Sequence, residues 1–143
     1  MKEHFEGKWA LVLGASSGFG EAACNRLSEA GLNIFGVHLD RKATQPNADR
    51  IQQSIQAKGR QAIFFNANAA DEAKRAEVLT VIKEKAAGKV HVVLHSLAFG
   101  ALKPMASGTK EEMISKSQVE MTIDVMASSL IYWVQDLMLN GCM

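Results

Sequence analysis

Cysteine, proline and tyrosine are scarce: two, two and one in 143 residues. Cys24 and Cys142 form no metal-ligand or redox spacing, which argues against a zinc or disulfide scaffold. Cys24 reads as a small core residue on a helix. Pro46 and Pro104 fall in segments that read as loops. No apolar run approaches the length needed to span a bilayer, so no membrane partner is expected. The N-terminal Met1-Lys-Glu-His-Phe-Glu-Gly7 is charged and lacks a signal-peptide core, and a reducing cytoplasm is the simplest home. Sixteen basic residues face fifteen acidic ones, a net charge of +1, so nothing implies attraction to nucleic acid. Internal repeats, low-complexity tracts and linkers are also missing. The sequence reads as one domain over residues 1–143.

What is present is ordinary globular composition, 48% apolar and 22% charged, enough for one real core. Strand-like and helix-like patterns alternate. Trp9 to Leu13 is a continuous apolar run, expected to be a buried strand. Glu21 to Ala30 carries a helical stripe, and Gly31 stands where a helix-ending glycine belongs. Ile34 to Leu39 reads as a second strand. Ala48, Ile51 and Ile55 mark a helix ending near Gly59, and Ala62 to Phe65 a third strand. Asp71 to Ala86 reads as a helix with Asp71 as its N-cap and Gly88 closing it. Val90 to Leu94 is the expected fourth strand. Residues 100–117 read as loop with room for a short helix. Gln118 to Leu139 reads as a long helix, apolar on most faces and so largely buried or in an interface. This order implies an α/β fold with a parallel, doubly wound sheet and right-handed crossovers.

The chemistry-bearing motif is Gly14-Ala-Ser-Ser-Gly18-Phe-Gly20, directly after a strand and directly before a helix. Gly14 permits the tight turn. Gly18 removes a side chain where backbone must approach phosphate, and Gly20 lets helix and strand pack closely. The helix start offers free N–H groups and a partial positive charge, and Ser16 and Ser17 add hydroxyl donors. The competing reading is a glycine-rich turn with no ligand.

Residues 10–20, Ala-Leu-Val-Leu-Gly-Ala-Ser-Ser-Gly-Phe-Gly, resemble the glycine motif of short-chain dehydrogenases/reductases, and the resemblance runs over essentially the whole chain. Leu13 departs from it, since the family usually has threonine there. The resemblance implies a Rossmann-type domain, truncated after the fourth strand and the long interface helix, that binds a nicotinamide dinucleotide through Gly14, Ser16, Ser17, Gly18, Phe19 and Gly20. His38 falls where NAD-binding relatives usually have an acid, with Asp40 two residues on and Arg41-Lys42 after it. Asp40 can hold the ribose if the loop curls back. Arg41 or Lys42 can pair with a 2′-phosphate, which favours NADP(H) with NAD(H) as the alternative. A solvated surface loop is the plain reading of both cations. Asn68-Ala69 match the adenine-contacting position; a simple turn is equally compatible.

His95-Ser96-Leu97-Ala98-Phe99-Gly100 stands where most members have Asn-Asn-Ala-Gly. It resembles the enoyl-(acyl-carrier-protein) reductase branch, in which the backbone at Ser96, Leu97 and Ala98 lies along the nicotinamide ribose. His95 and His91 read as structural histidines. Met126 takes the place of the family's catalytic asparagine, which agrees with that branch. Tyr132 and Trp133 read as buried aromatics.

The family's proton-donating Tyr-x-x-x-Lys pair is missing, because Tyr132 is the only tyrosine and position 136 is Asp. No catalytic residue is therefore assigned. The expected function is NAD(P)H-dependent reduction of an enoyl thioester or a carbonyl, with this chain binding nucleotide without turnover. The alternatives are a catalytically silent nucleotide-binding or oligomer-partner module, and a truncated product with no function. Without the family's later strands, the fourth strand becomes an apolar edge, so a homo-oligomer or a longer protein is expected.

Overall fold

A computed structural model describes residues 2–87 and 89–143. A short helix, α1 (Lys2–Phe5), precedes strand β1 (Trp9–Leu13). Helix α2 (Gly18–Glu29), strand β2 (Asn33–His38), helix α3 (Gln45–Ala57) and strand β3 (Ala62–Asn66) follow. Then come helix α4 (Glu72–Lys85), strand β4 (Val92–His95), helix α5 (Lys116–Ile123) and helix α6 (Ser129–Leu139). The four strands form one parallel sheet in the order β3-β2-β1-β4. The chain thus has the expected Rossmann-type doubly wound architecture.

The apolar runs explain why β1 and β2 are central. Strands buried on both faces need no polar alternation, and every residue of both is buried. Side chains of β1 divide between two layers. Trp9, Leu11 and Leu13 join Val78, Ile82, Trp133 and Leu137 beneath α4 and α6. Ala10 and Val12 join Cys24, Ile51 and Ile55 beneath α2 and α3. Burial pushes the Cys24 thiol up to about 12, with Glu21 adding to the effect, so this cysteine is an inert core residue.

Most expected boundaries shift by one to three residues, and three differences are more telling. The fourth strand starts at Val92 rather than Val90, because the Val90 N–H is taken by the Cys142 carbonyl at 2.7 Å. The loop after β4 contains no helix before α5, which starts at Lys116 behind a reciprocal Ser115–Gln118 capping box. The long helix is not continuous α. Asp124–Ser128 forms a single wider π turn between α5 and α6. Asp71 caps α4 by accepting from the Lys74 N–H at 3.0 Å, and Gly31, at φ +110°, follows the end of α2. Gly88 lies outside the described residues.

The long helix is also less buried than its composition suggests. From Val125 onward its buried residues are Val125, Ser129, Trp133 and Leu137, a stripe one turn apart. Ile131, Met138 and Leu139 are exposed. Trp133 anchors the stripe by donating from Nε1 to the Ala69 carbonyl at 2.9 Å. Nearby, Arg75 pairs with Asp136 at 2.8 Å and donates to the Ala70 carbonyl. The helix therefore grips the loop between β3 and α4.

Candidate functional site

Parallel pairing brings the carboxyl ends of β2, β1 and β4 side by side, with Leu13 level with Val37 and His95. This is where open α/β sheets place their ligands. A cavity of about 280 Å³ opens there. Its walls are the glycine turn (Gly14, Ser16, Ser17, Gly18, Phe19), the end of β2 (His38, Leu39) and the segment Ser96 to Phe99 after β4.

The three glycines do different work. A Cβ on Gly20 would lie 1.8 Å from the Gly14 carbonyl oxygen, and one on Gly14 would lie 2.1 Å from that of Ser96. Both positions therefore hold turn, helix and β4 segment in backbone contact. Gly20 is buried beneath the turn and does not line the cavity. Gly18 has φ +56° and nothing within 4 Å of an added Cβ. It leaves empty space where the backbone faces the cavity.

Asp71 and Ser115 cap α4 and α5 with their side chains, whereas neither Ser17 on α2 nor Thr44 on α3 makes a side-chain cap. The first N–H groups of a helix have no intrahelical acceptor and attract anions. An uncapped start beside bare backbone fits a pyrophosphate. The residues present thus suit a dinucleotide on geometric grounds.

The turn is clamped from the segment after β2. Asn47 Nδ2 donates to the Ser16 carbonyl. Asp40 accepts from His38 Nδ1 at 2.8 Å. Burial alone would raise the Asp40 carboxyl, but hydrogen bonds from Ser16, Thr44 and His38 outweigh it and hold the group below its ordinary value. Asp40 was expected only as a ribose holder, and Asn47 and the cavity-lining Leu39 and Phe99 were not foreseen as site residues. No motif marks them, since they act through the crossing of the chain over the turn.

Several expected contacts lie elsewhere. Arg41 and Lys42 are exposed and do not line the cavity. Asn68 Oδ1 accepts from the Ala70 N–H at 3.0 Å, and Ala69 is buried beneath Trp133. Neither lines the cavity. Met126 sits half-exposed in the π turn, while Ser129 reaches β4 and meets His95 Nε2 at 2.9 Å. Burial lowers the pKa of His95, as expected for a neutral, hydrogen-bonded imidazole. His91 is exposed rather than structural. Tyr132 is half-buried rather than buried, and its hydroxyl donates to Asp124 at 2.9 Å.

The family model described as short chain dehydrogenase matches residues 8–140. A trans-2-enoyl-CoA reductase (NADH) of Clostridium perfringens is 34% identical over 110 residues, covering 71% of this chain and 28% of that protein. An enoyl-(acyl-carrier-protein) reductase (NADH) of Xylella fastidiosa is 31% identical over 120 residues, covering 76% of this chain and 29% of that protein. The chain thus spans less than a third of the curated relatives it matches. Among solved structures, a blue fluorescent protein from a metagenomic library, in complex with NADPH, superposes with a TM-score of 0.78 at 23% identity. That superposition covers 94% of this chain and 51% of the other.

Proposed function

The chain belongs to the short-chain dehydrogenase family, and from that premise we propose that it supplies the dinucleotide site of a nicotinamide-dependent reductase. The substrate class is an enoyl thioester or a carbonyl, with the enoyl thioester preferred. The two relatives named above are enoyl-thioester reductases, and the His95-Ser96 segment points the same way.

One observation carries the reading. The uncapped start of α2 and the open space at Gly18 share a cavity with the backbone of Ser96 to Phe99. In this reading the N–H groups of the turn and the Ser17 hydroxyl bind the pyrophosphate. The wall from Ser96 to Ala98 orients the nicotinamide ribose. His38 stands at the adenosine ribose. Ser129 and His95 tie the long helix to the end of β4 and hold that wall in place. The bound nicotinamide would supply hydride from its C4. In this reading the chain binds without turning over, since Tyr132, the sequence's single tyrosine, lies off the cavity wall with its hydroxyl bonded to Asp124.

The two buried, unpaired thiols fit a reducing compartment such as the cytoplasm. The exposed Ile131, Met138 and Leu139 favour a homo-oligomer. A catalytically silent nucleotide-binding module is the second reading, favoured by the same lack of a proton donor.

Fluorescence titration with NADH and NADPH, followed by an assay with an enoyl thioester, tests the proposal. Expected is saturable binding and no dinucleotide oxidation. Absence of binding overturns the site, and turnover by the 143-residue chain overturns its assignment as binding-only.

A further inference from the structure

We infer that a cationic cleft at the amino ends of the strands, at the opposite end of the sheet from the dinucleotide cavity, binds a compact multivalent anion of the diphosphate class. This second site goes beyond the dinucleotide site and does not depend on it.

The cleft has a volume of about 410 Å³. Two stretches of chain build it. One is Glu6 to Trp9, which leads into β1; the other, between α4 and β4, supplies Lys85, Ala86, Ala87, Lys89 and His91. Backbone bonds fix their convergence. The His91 N–H donates to the Trp9 carbonyl at 2.8 Å, and the Asn33 N–H to the Lys8 carbonyl at 2.7 Å. Ala87 has φ +48°, a positive value that no other non-glycine residue takes among the described residues. Such a conformation persists only where the surroundings over-determine it, and here it stands between Lys85 and Lys89.

Elsewhere the basic side chains are neutralised: Arg26, Arg50, Lys58, Arg60, Lys74 and Arg75 each pair with a carboxylate. Among the described residues, Lys8, Lys85 and Lys89 take part in no ion pair. Glu6, the single acid lining the cleft, is already bonded to Arg60. Lys85 complements the negative end of α4, a role that Lys8, outside any helix, cannot share. Desolvation, and then the charges of Lys8, Lys89 and His4, lower the His91 pKa, so these cations act on one another. Like charges gathered in a concavity attract a counter-ion.

The chemistry of the lining selects the anion. Ammonium groups are point charges that suit phosphate oxygens, and no arginine lines the cleft to pair with a planar carboxylate. Trp9 is only 4% exposed and stacks on Phe35, which leaves no aromatic face for a base. The group recognised is therefore the phosphate itself. Three lysines and a histidine favour a diphosphate over a single phosphate.

Proton NMR of the full 143-residue chain, titrated with inorganic pyrophosphate, tests this. The reporter is the C2 proton of His91, assigned with His91→Gln. His91 lies at the other end of β4 from the dinucleotide cavity wall, so binding at the glycine turn is read separately. With pyrophosphate bound, this proton should titrate at higher pH. The dissociation constant read from it should weaken at least about fivefold in Lys8→Gln and in Lys89→Gln. It should weaken at least about tenfold when ionic strength rises from about 0.01 to about 0.15 M. Lys42→Gln, at an exposed lysine outside the cleft, should change it by less than about twofold. ADP, which carries the same group on a nucleoside, should bind here no more tightly than pyrophosphate. A His91 signal that pyrophosphate does not move overturns the inference, as do equal losses in Lys42→Gln and Lys89→Gln. ADP bound more than about tenfold more tightly than pyrophosphate also overturns it, because the base would then be the group recognised.

Discussion

Strands β1 and β2 are buried at every position, whereas all four residues of β4 are only partly covered. The three strands have similar apolar character, so composition does not explain the contrast. Position in the sheet does. In the order β3-β2-β1-β4, each inner strand has neighbours on both sides, and β4 pairs with β1 alone. The same division continues outward. Helices α2 and α3 close over one face, while α4 and the long helix cover the other, the long helix with a single stripe that leaves Ile131 and Leu139 in solvent. The glycine turn therefore follows a fully buried strand, and its opposite wall, Ser96 to Phe99, follows a partly covered one.

The sharpest way to break this comparison is at the junction of turn and core. Gly20→Ala drives a methyl into the Gly14 carbonyl, and backbone cannot yield cheaply there. It should cost at least about 3 kcal/mol or prevent folding. Gly18→Ala meets no atom and bears only the left-handed conformation, about 1–2 kcal/mol. That variant should keep its fold and lose dinucleotide affinity. Urea unfolding and ligand titration of both variants separate the two roles; equal stability losses would refute the division.

On the less complete side, Trp133→Phe removes the donor to the Ala69 carbonyl while keeping an aromatic ring. A loss of about 1–3 kcal/mol is expected from the stranded carbonyl, read from the urea midpoint. A change below about 0.5 kcal/mol would mean that the helix does not grip the β3–α4 loop.

Ile131→Glu should alter unfolding stability by less than about 0.5 kcal/mol, since the residue is exposed within one chain. It should nonetheless shift sedimentation toward smaller species. An unchanged association state would show that this exposed face is not the contact.

The smallest expected effect is a pH dependence. Burial lowers the His95 pKa in the folded chain, so the unfolded chain binds the proton more readily. The stabilisation is complete above the unfolded value of about 6.5 and is lost as pH falls below it. The urea midpoint should drop between pH 7.5 and 5.5, and drop less in His95→Gln. Equal drops would remove His95 as the cause.

Much of this was legible in residue order. The apolar runs at Trp9–Leu13 and in β2 announced buried parallel strands, and Asp71 announced a helix start, because each signal depends on neighbours within a few residues. The glycine spacing, read with its strand and helix, located the turn. Val90 looked like strand, but a carbonyl from Cys142, 52 positions away in sequence by subtraction of the two residue numbers, takes its N–H. Likewise, a helical pattern through residues 118–139 did not disclose the π turn at Asp124–Ser128, nor that Ser129 rather than Met126 would meet His95.

The sequence by itself determined the element order, the two-layered cover of a parallel sheet, and the place of the glycine turn, all consequences of local periodicity and of glycine's missing side chain. Tertiary structure alone decided that Asp40 would meet the His38 ring, that Asn47 would hold the Ser16 carbonyl, and that Arg41 would stay off the cavity wall. Those outcomes depend on which distant segments meet when the sheet closes. The hydrogen left on a histidine nitrogen is set by the partner that the fold brings to it.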